Sequence, residues 1–184
     1  VLHQRRVPRM FYDYAESGSW TQSTFRRNAE VFSEIQLRQR VAKDISQRSI
    51  EGQMLGETWA MPVALAPTGL TGMQHANGEI LAAQAAEAFG VPFTLSTMSI
   101  CSIEDVAANT QKPFWFQLYV MKDREFISAL IQRAKAANCS ALVLTLDLQI
   151  IGQRHKVVKN QMTAPPKLTL TNLINMATKP RWCM

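Results

Sequence analysis

The feature that most constrains the fold is an alternation that begins at Met61 and runs to Leu146. Four short apolar segments, at 62–66, 92–95, 114–118 and 141–146, are separated by stretches with helical spacing. The last of them, Ala-Leu-Val-Leu-Thr-Leu, is nearly continuous in apolar residues, which is how a strand buried on both faces of a parallel sheet reads. Between the strands, Asn77 opens a helix that runs to Phe89 with Gly90 at its end. Ser102-Ile103-Glu104-Asp105 has the form of a capping box. Asp123 caps a longer helix in which Phe126, Ile127, Leu130, Ile131 and Ala134 make a buried stripe, with Asn138 as its stop. Strands joined through helices in this way require right-handed parallel crossovers, an α/β arrangement.

Each strand ends on polar groups: Thr68, then Ser96, then Gln117 and Tyr119, then Thr145 and Asp147. Ligands of parallel sheets and barrels sit at the carboxyl ends of the strands. Polarity repeated at the same end of four strands points to a site more than to ordinary loop composition. Taken alone, Asp147 and Arg154 suit a small anionic substrate, while the competing reading makes Asp147 a helix cap and Arg154 a solvated loop residue. A closed (β/α)₈ barrel takes about 250 residues, so four strands in 184 residues amount to half of one.

Three segments are therefore expected: a helical segment at 1–60 that covers the barrel, the first half of the barrel at 61–154, and a basic loop at 155–184. In the first, Pro8 suits a helix start, and Met10, Phe11, Tyr14 and Ala15 follow at helical spacing before Ser17-Gly18-Ser19. Thr24 is a candidate cap for a second helix with Phe25, Ala29 and Phe32 on one face. Residues 33–60 read ambiguously, as helix or extended cover with turns at Gly52 and Gly56. Val1 is not an initiator, so residues are expected upstream, a removed leader among the alternatives.

Hydrophobic residues at 47% and charged residues at 18% place the chain among globular proteins. Three cysteines, widely spaced and without a C-x-x-C pair, favour reduced structural thiols and give no zinc site. The net charge of +6 is unevenly placed. From Leu148 onward there is no acid, but Arg154, Lys156, Lys159, Lys167, Lys179 and Arg181 are present. Such a segment favours an anionic surface such as phospholipid headgroups. Nucleic acid is disfavoured because the interleaved aromatic and basic residues of a single-strand binder are missing. Leu168, Leu170, Leu173, Ile174, Met176 and Trp182 add apolar groups, while Pro165, Pro166 and Pro180 interrupt the segment. It is too short to cross a bilayer, so it is expected to lie on one, the rival being a soluble active-site lid.

The ordered motifs carry a resemblance. Residues 12–18 (Tyr-Asp-Tyr-Ala-Glu-Ser-Gly), Ala66-Pro67-Thr68-Gly69, Leu95-Ser96-Thr97, Phe116-Gln117-Leu118-Tyr119, Leu144-Thr145-Leu146-Asp147 and Gly152-Gln153-Arg154 together resemble the FMN-dependent α-hydroxy-acid dehydrogenases. The stretch 148–156, followed by Ala164-Pro165-Pro166-Lys167, is most similar to the bacterial respiratory L-lactate dehydrogenase branch. The resemblance implies a (β/α)₈ TIM barrel of the FMN-linked type and oxidation of a small L-2-hydroxy acid, L-lactate to pyruvate, with hydride passing to flavin N5. It implies that Pro67, Thr68 and Gly69 lie against the flavin and that Ser96, Gln117 and Thr145 hydrogen-bond its pyrimidine edge. Tyr14, Tyr119 and Arg154 correspond to substrate-binding positions. Asp147 corresponds to the carboxylate that orients the catalytic histidine.

The resemblance also implies an electron acceptor, a quinone or a cytochrome, and a homo-oligomer when the protein is complete. The expected location is cytoplasmic, with peripheral contact to the inner face of the cell membrane. The family's catalytic histidine, carboxylate-clamping arginine, flavin-N1 lysine and glycine-rich phosphate site belong to the second half of the barrel. None of His3, His75 and His155 stands in the corresponding motif. These 184 residues are accordingly expected to be inactive alone, and a non-catalytic half-barrel remnant or interaction module is the alternative.

Overall fold

The computed structural model describes residues 2–147, 150, 152–163 and 165–183. Helices α1 (Leu2–Arg6), α2 (Arg9–Ala15) and α3 (Ser23–Glu30) come first, followed by a hairpin of β1 (Gly52–Met54) and β2 (Glu57–Trp59). The alternation is then α4 (Gly78–Phe89), β3 (Thr94–Ser96), α5 (Ile103–Ala108), β4 (Trp115–Tyr119), α6 (Arg124–Ala136) and β5 (Ala141–Thr145). Helices α7 (His155–Lys159), α8 (Leu170–Ala177) and α9 (Pro180–Cys183) complete the chain. By compactness the chain divides into two units, residues 1–47 with 150–184, and residues 48–149.

The second unit holds the sheet. Strands β3, β4 and β5 are parallel and in sequential order. A lone parallel bridge between Leu65 and Phe93 places the segment of the first expected strand beside β3. That segment is a correction to the expectation of a buried strand: it makes one bridge, and Val63 and Leu65 are exposed. It has a sheet neighbour on one side only among the described residues, so little ladder holds it. Within 33–60, where helix or extended cover with turns was the reading, the hairpin of β1 and β2 takes 52–59, and 35–51 forms neither helix nor strand. Leu55 and Gly56 both lie at positive φ, as a two-residue hairpin turn requires.

One face of the sheet makes the core. Side chains alternate along a strand, so Leu95, Phe116 and Leu118 point to the helices. There they pack with Ala83 and Ala86 of α4, Ile103 and Val106 of α5, and Ile127, Leu130 and Ala134 of α6. Burying a side chain of this size contributes about 1.5–3 kcal/mol. The expected stripe on α6 holds except at Phe126, which is exposed. Strand β5 departs further from expectation. It is not buried on both faces: Leu142 is 48% and Leu144 50% exposed. Among the described residues β5 has no strand on its far side and no later helix of its unit to cover it.

Local signals set the helix ends. Ser102 and Asp105 form the full capping box, each side chain bonded to the other's backbone N–H. Asp123 accepts from Phe126 N–H at 3.0 Å. Gly90 ends α4 at positive φ. Asn77 occupies the cap position of α4 in a left-handed conformation but makes no side-chain cap bond.

In the first unit, α2 buries Met10 and Phe11, and Pro8 stands at its N-cap. Helix α3 begins at Ser23 after Gln22, so Thr24 is inside the helix and not its cap. Phe25 and Phe32 are exposed instead of sharing a buried face. The expected basic loop at 155–184 is largely helical. Thr169 caps α8 by accepting from Asn172 N–H, and Asn175 Oδ1 accepts from Arg9 N–H at 2.7 Å. Trp182 stacks on Phe11 with ring centroids 5.2 Å apart, and Lys179 Nζ donates to the carbonyls of Gln4 and Arg5. These contacts join residues far apart in sequence, which local patterning does not reveal. Leu148, Gln149, Ile151 and Ala164, which belong to the two stretches compared with the lactate branch, lie outside the described residues.

Candidate functional site

The face of the sheet opposite the core carries Thr94, Ser96 and Gln117, all buried. An amide in such a place is costly unless its bonds are made. In-register parallel pairing sets Ser96 beside Gln117 and Tyr119 beside Thr145. Gln117 Oε1 accepts from Ser96 Oγ and from Thr97 N–H, each at 3.2 Å. Gln117 Nε2 donates to Thr145 Oγ1 at 2.7 Å. The three strand ends β3, β4 and β5 are thereby tied by one amide.

Thr97 braces the same point. Its hydroxyl donates to the Gln117 carbonyl at 2.5 Å and accepts from Tyr119 N–H at 3.2 Å. Ser96 Oγ accepts from Met98 N–H at 3.1 Å. The loop after the Leu65 bridge closes on this cluster through Leu70 N–H, which donates to the Met98 carbonyl at 2.9 Å. Gly69 lies so near that a Cβ there would stand 3.3 Å from Met98 Cβ and 3.8 Å from Ser96 Oγ. Pro67 is half-buried beside Thr68, whose carbonyl accepts from the Thr71 hydroxyl at 3.0 Å.

Unit two thus brings together Gly69, Ser96, Gln117, Thr145 and the backbone of Tyr119. Asp147 lies two residues beyond β5 and is exposed. In the first unit, Tyr14 and Arg154 meet. The Arg154 guanidinium donates to the Tyr14 carbonyl and, at 2.8 Å, to the Ser17 carbonyl, and stands 4.7 Å over the Tyr14 ring. Asp13, buried beside them, accepts from Asn160 Nδ2 at 2.7 Å and lies 3.6 Å from Arg9 Nε. Thr97 and Asn160 are contributors that sequence reasoning missed. Thr97 stood in the quoted Leu95-Ser96-Thr97 motif without a role.

The family model described as FMN-dependent dehydrogenase matches residues 3–184. The chain belongs to the FMN-dependent dehydrogenase family. It is 45% identical over 179 residues to an L-lactate dehydrogenase of Ectopseudomonas mendocina, covering 97% of this chain and 47% of that protein. An L-lactate dehydrogenase of Acinetobacter baumannii is also 45% identical, with 46% of its length covered. The chain thus spans about half the length of the curated relatives it matches. Among solved structures, (S)-mandelate dehydrogenase, described as a monotopic membrane protein, superposes with a TM-score of 0.91 at 35% identity, over 99% of this chain and 48% of that one. A soluble mutant of the membrane-associated (S)-mandelate dehydrogenase from Pseudomonas putida gives 0.83 at 38% identity, over 94% and 49%. The α/β sheet described above is accordingly part of the (β/α)₈ barrel of FMN-dependent dehydrogenases.

The cofactor implied by the family is FMN, and the strand-end cluster suits it. A flavin edge presents both hydrogen-bond donors and acceptors. Gln117 Nε2 has a second N–H beyond the one given to Thr145, and the Thr145 hydroxyl, accepting that bond, keeps its own proton to donate. At Gly69 a Cβ would press on Met98, so the bare backbone lets this loop close on the Ser96 end of the cluster. No helix among the described residues is long and apolar enough to cross a membrane. No group of three metal-ligating side chains occurs among them either.

Proposed function

We propose that the complete protein oxidises a small L-2-hydroxy acid, with L-lactate to pyruvate as the leading substrate, using FMN. The observation that carries this reading is the Ser96–Gln117–Thr145 cluster at the carboxyl ends of adjacent parallel strands. Identity to L-lactate dehydrogenases supports the choice of substrate. When bound, FMN supplies the acceptor for the hydride leaving the substrate's α-carbon.

The residues of this chain bind and orient. Ser96, Gln117 and Thr145 hold the pyrimidine edge, and Pro67, Thr68 and Gly69 flank the ring. Tyr14, Tyr119 and Arg154 hold the substrate's carboxylate and hydroxyl side. Asp147 orients the histidine that takes the hydroxyl proton, a residue that family pattern places beyond these 184, and its charge stabilises the imidazolium that results. The 184 residues alone would then lack turnover. We assign 1–60, helices followed by the hairpin at 52–59, as the covering segment, 61–154 as the barrel half and 155–184 as the surface segment. Electrons pass onward to a quinone or a cytochrome, and the complete protein is a homo-oligomer.

We place that surface segment against the inner face of the membrane. Val158, Leu168, Leu170 and Ile174 are exposed among Lys156, Lys159 and Lys167. The resemblance to a monotopic membrane enzyme supports this reading.

The test is anaerobic mixing of the purified full-length flavoprotein with L-lactate, D-lactate and L-mandelate. Bleaching of the flavin absorbance by L-lactate, and not by D-lactate, is expected. Absence of bound FMN, or no bleaching by any 2-hydroxy acid, would refute the reading. Asp147→Asn should slow the bleaching strongly while flavin content stays normal.

A further inference from the structure

The most deeply buried acid of the described chain is outside the cluster assigned above. Glu79, in the first turn of α4, is 1% exposed. Its Oε1 accepts from two backbone groups at once, Gly72 N–H and Ile100 N–H, each at 3.0 Å. Gly72 lies in the turn that follows 67–69, and Ile100 follows Ser96 by four residues. The two loops are therefore joined twice, directly through Leu70 N–H to the Met98 carbonyl and, two residues further along each, through the Glu79 carboxylate.

Packing closes the joint. A Cβ at Gly72 would stand 2.6 Å from Ile100 Cβ and 3.1 Å from Glu79 Oε2, so only glycine lets the two loops approach around the carboxylate. Oε2 is buried with no backbone N–H bonded to it among the described residues, and the Cys101 thiol stands beside the carboxylate. Burial pushes the Glu79 carboxyl up, but the N–H groups of Ile100, Gly72 and Glu79 itself outweigh it and hold the group below the usual carboxylate range. The same surroundings, burial first, then hydrogen bonding to Glu79 and after it the Glu79 charge, push the Cys101 thiol up. The helix N-terminus adds to the preference for an anion at this place.

We propose that Glu79 is a positioning residue that locks the loop carrying Pro67, Thr68 and Gly69 to the loop carrying Ser96, and so sets the groups against which the flavin rests. The proposal rests on the FMN reading above. Its chemistry is specific: one acceptor oxygen, carried at the reach of a glutamate-length side chain, at the fork of two N–H donors. A shorter carboxylate falls short of the fork, and a neutral amide keeps the acceptor without the charge.

The test uses the full-length protein with Glu79→Ala, Glu79→Asp and Glu79→Gln. Two quantities are read: amide hydrogen exchange in peptides covering 69–73 and 98–102, and FMN affinity by fluorescence quenching with visible circular dichroism. Glu79→Ala is expected to raise exchange at least tenfold in both peptides together, with α6 unchanged, and to weaken FMN at least tenfold. Glu79→Gln, which keeps the acceptor, should recover most of both effects. If the alanine variant does not fold, Glu79→Asp carries the same two measurements. Exchange that rises in only one peptide, or everywhere, overturns the proposal, as does FMN affinity within twofold of the parent. A parent protein that binds no FMN would instead overturn the flavin reading, and paired exchange would still show whether Glu79 joins the loops.

Discussion

Gln117 on β4 donates through its Nε2 to Thr145 Oγ1 on β5 at 2.7 Å, while its carbonyl oxygen accepts from Ser96 on β3. One buried side chain thus spans three adjacent strand ends. Replacing Thr145 with valine keeps the shape but leaves that amide N–H without its acceptor. A buried donor left unmade costs about 1–3 kcal/mol. Urea unfolding of Thr145→Val should show a loss in this range, with weakened FMN retention. Stability and flavin content equal to the parent would mean the bond is incidental.

Arg154 and Tyr14 form a second cluster of contacts. The guanidinium serves two carbonyls and covers the Tyr14 ring at once, a combination that the single point charge of lysine does not reproduce. Arg154→Lys should raise KM for the hydroxy acid about tenfold, equivalent to about 1.4 kcal/mol, with FMN content unchanged. Steady-state kinetics on the flavin-loaded protein check this. A fall in kcat at constant KM would argue against substrate positioning.

Acid should act through Glu104. Arg133 donates to both of its oxygens, at 2.8 and 2.6 Å, and holds its carboxyl down to about 2 from 4.5. A carboxyl whose folded value is depressed contributes stability above its unfolded value and loses that contribution as pH falls through the folded one. The stability difference between parent and Glu104→Gln should be present at neutral pH and close between 4.5 and about 2. Both partners are half-exposed, so the difference is small and shrinks with salt. A difference that grows on acidification would contradict the assignment.

The surface segment gives a prediction about lipid. Basic residues near an anionic leaflet contribute about 1 kcal/mol each. Replacing Lys156, Lys159 and Lys167 with glutamine should therefore weaken co-sedimentation with phosphatidylserine vesicles on the order of a hundredfold. Binding should also fall with added salt. Indifference to lipid charge and to those lysines would leave the segment as a soluble lid.

What was legible in the sequence was what is local. Strand ends at Ser96, Tyr119 and Thr145, the capping box of Ser102 with Asp105 and the cap at Asp123 each depend on residues within a few positions, and the structure has them. Burial was less legible because it depends on what stands opposite. Leu142 and Leu144 read as core, yet they are half-exposed, since among the described residues no later helix of their own unit covers them. Trp182 reads as an interfacial residue, yet it stacks on Phe11. Glu79 looks like any acid complementing a helix N-terminus. Only the approach of two loops makes its carboxylate their common acceptor.

The central claim is that the amide spanning β3, β4 and β5 faces the flavin edge, and FMN titration of full-length Gln117→Leu tests it most directly. Leucine fills similar space but offers no hydrogen bond to Ser96, Thr145 or the ring. The account predicts at least a tenfold rise in the FMN dissociation constant, about 1.4 kcal/mol, and an altered visible circular dichroism of the bound flavin. A variant that binds FMN as tightly as the parent, with the same spectrum, would contradict it.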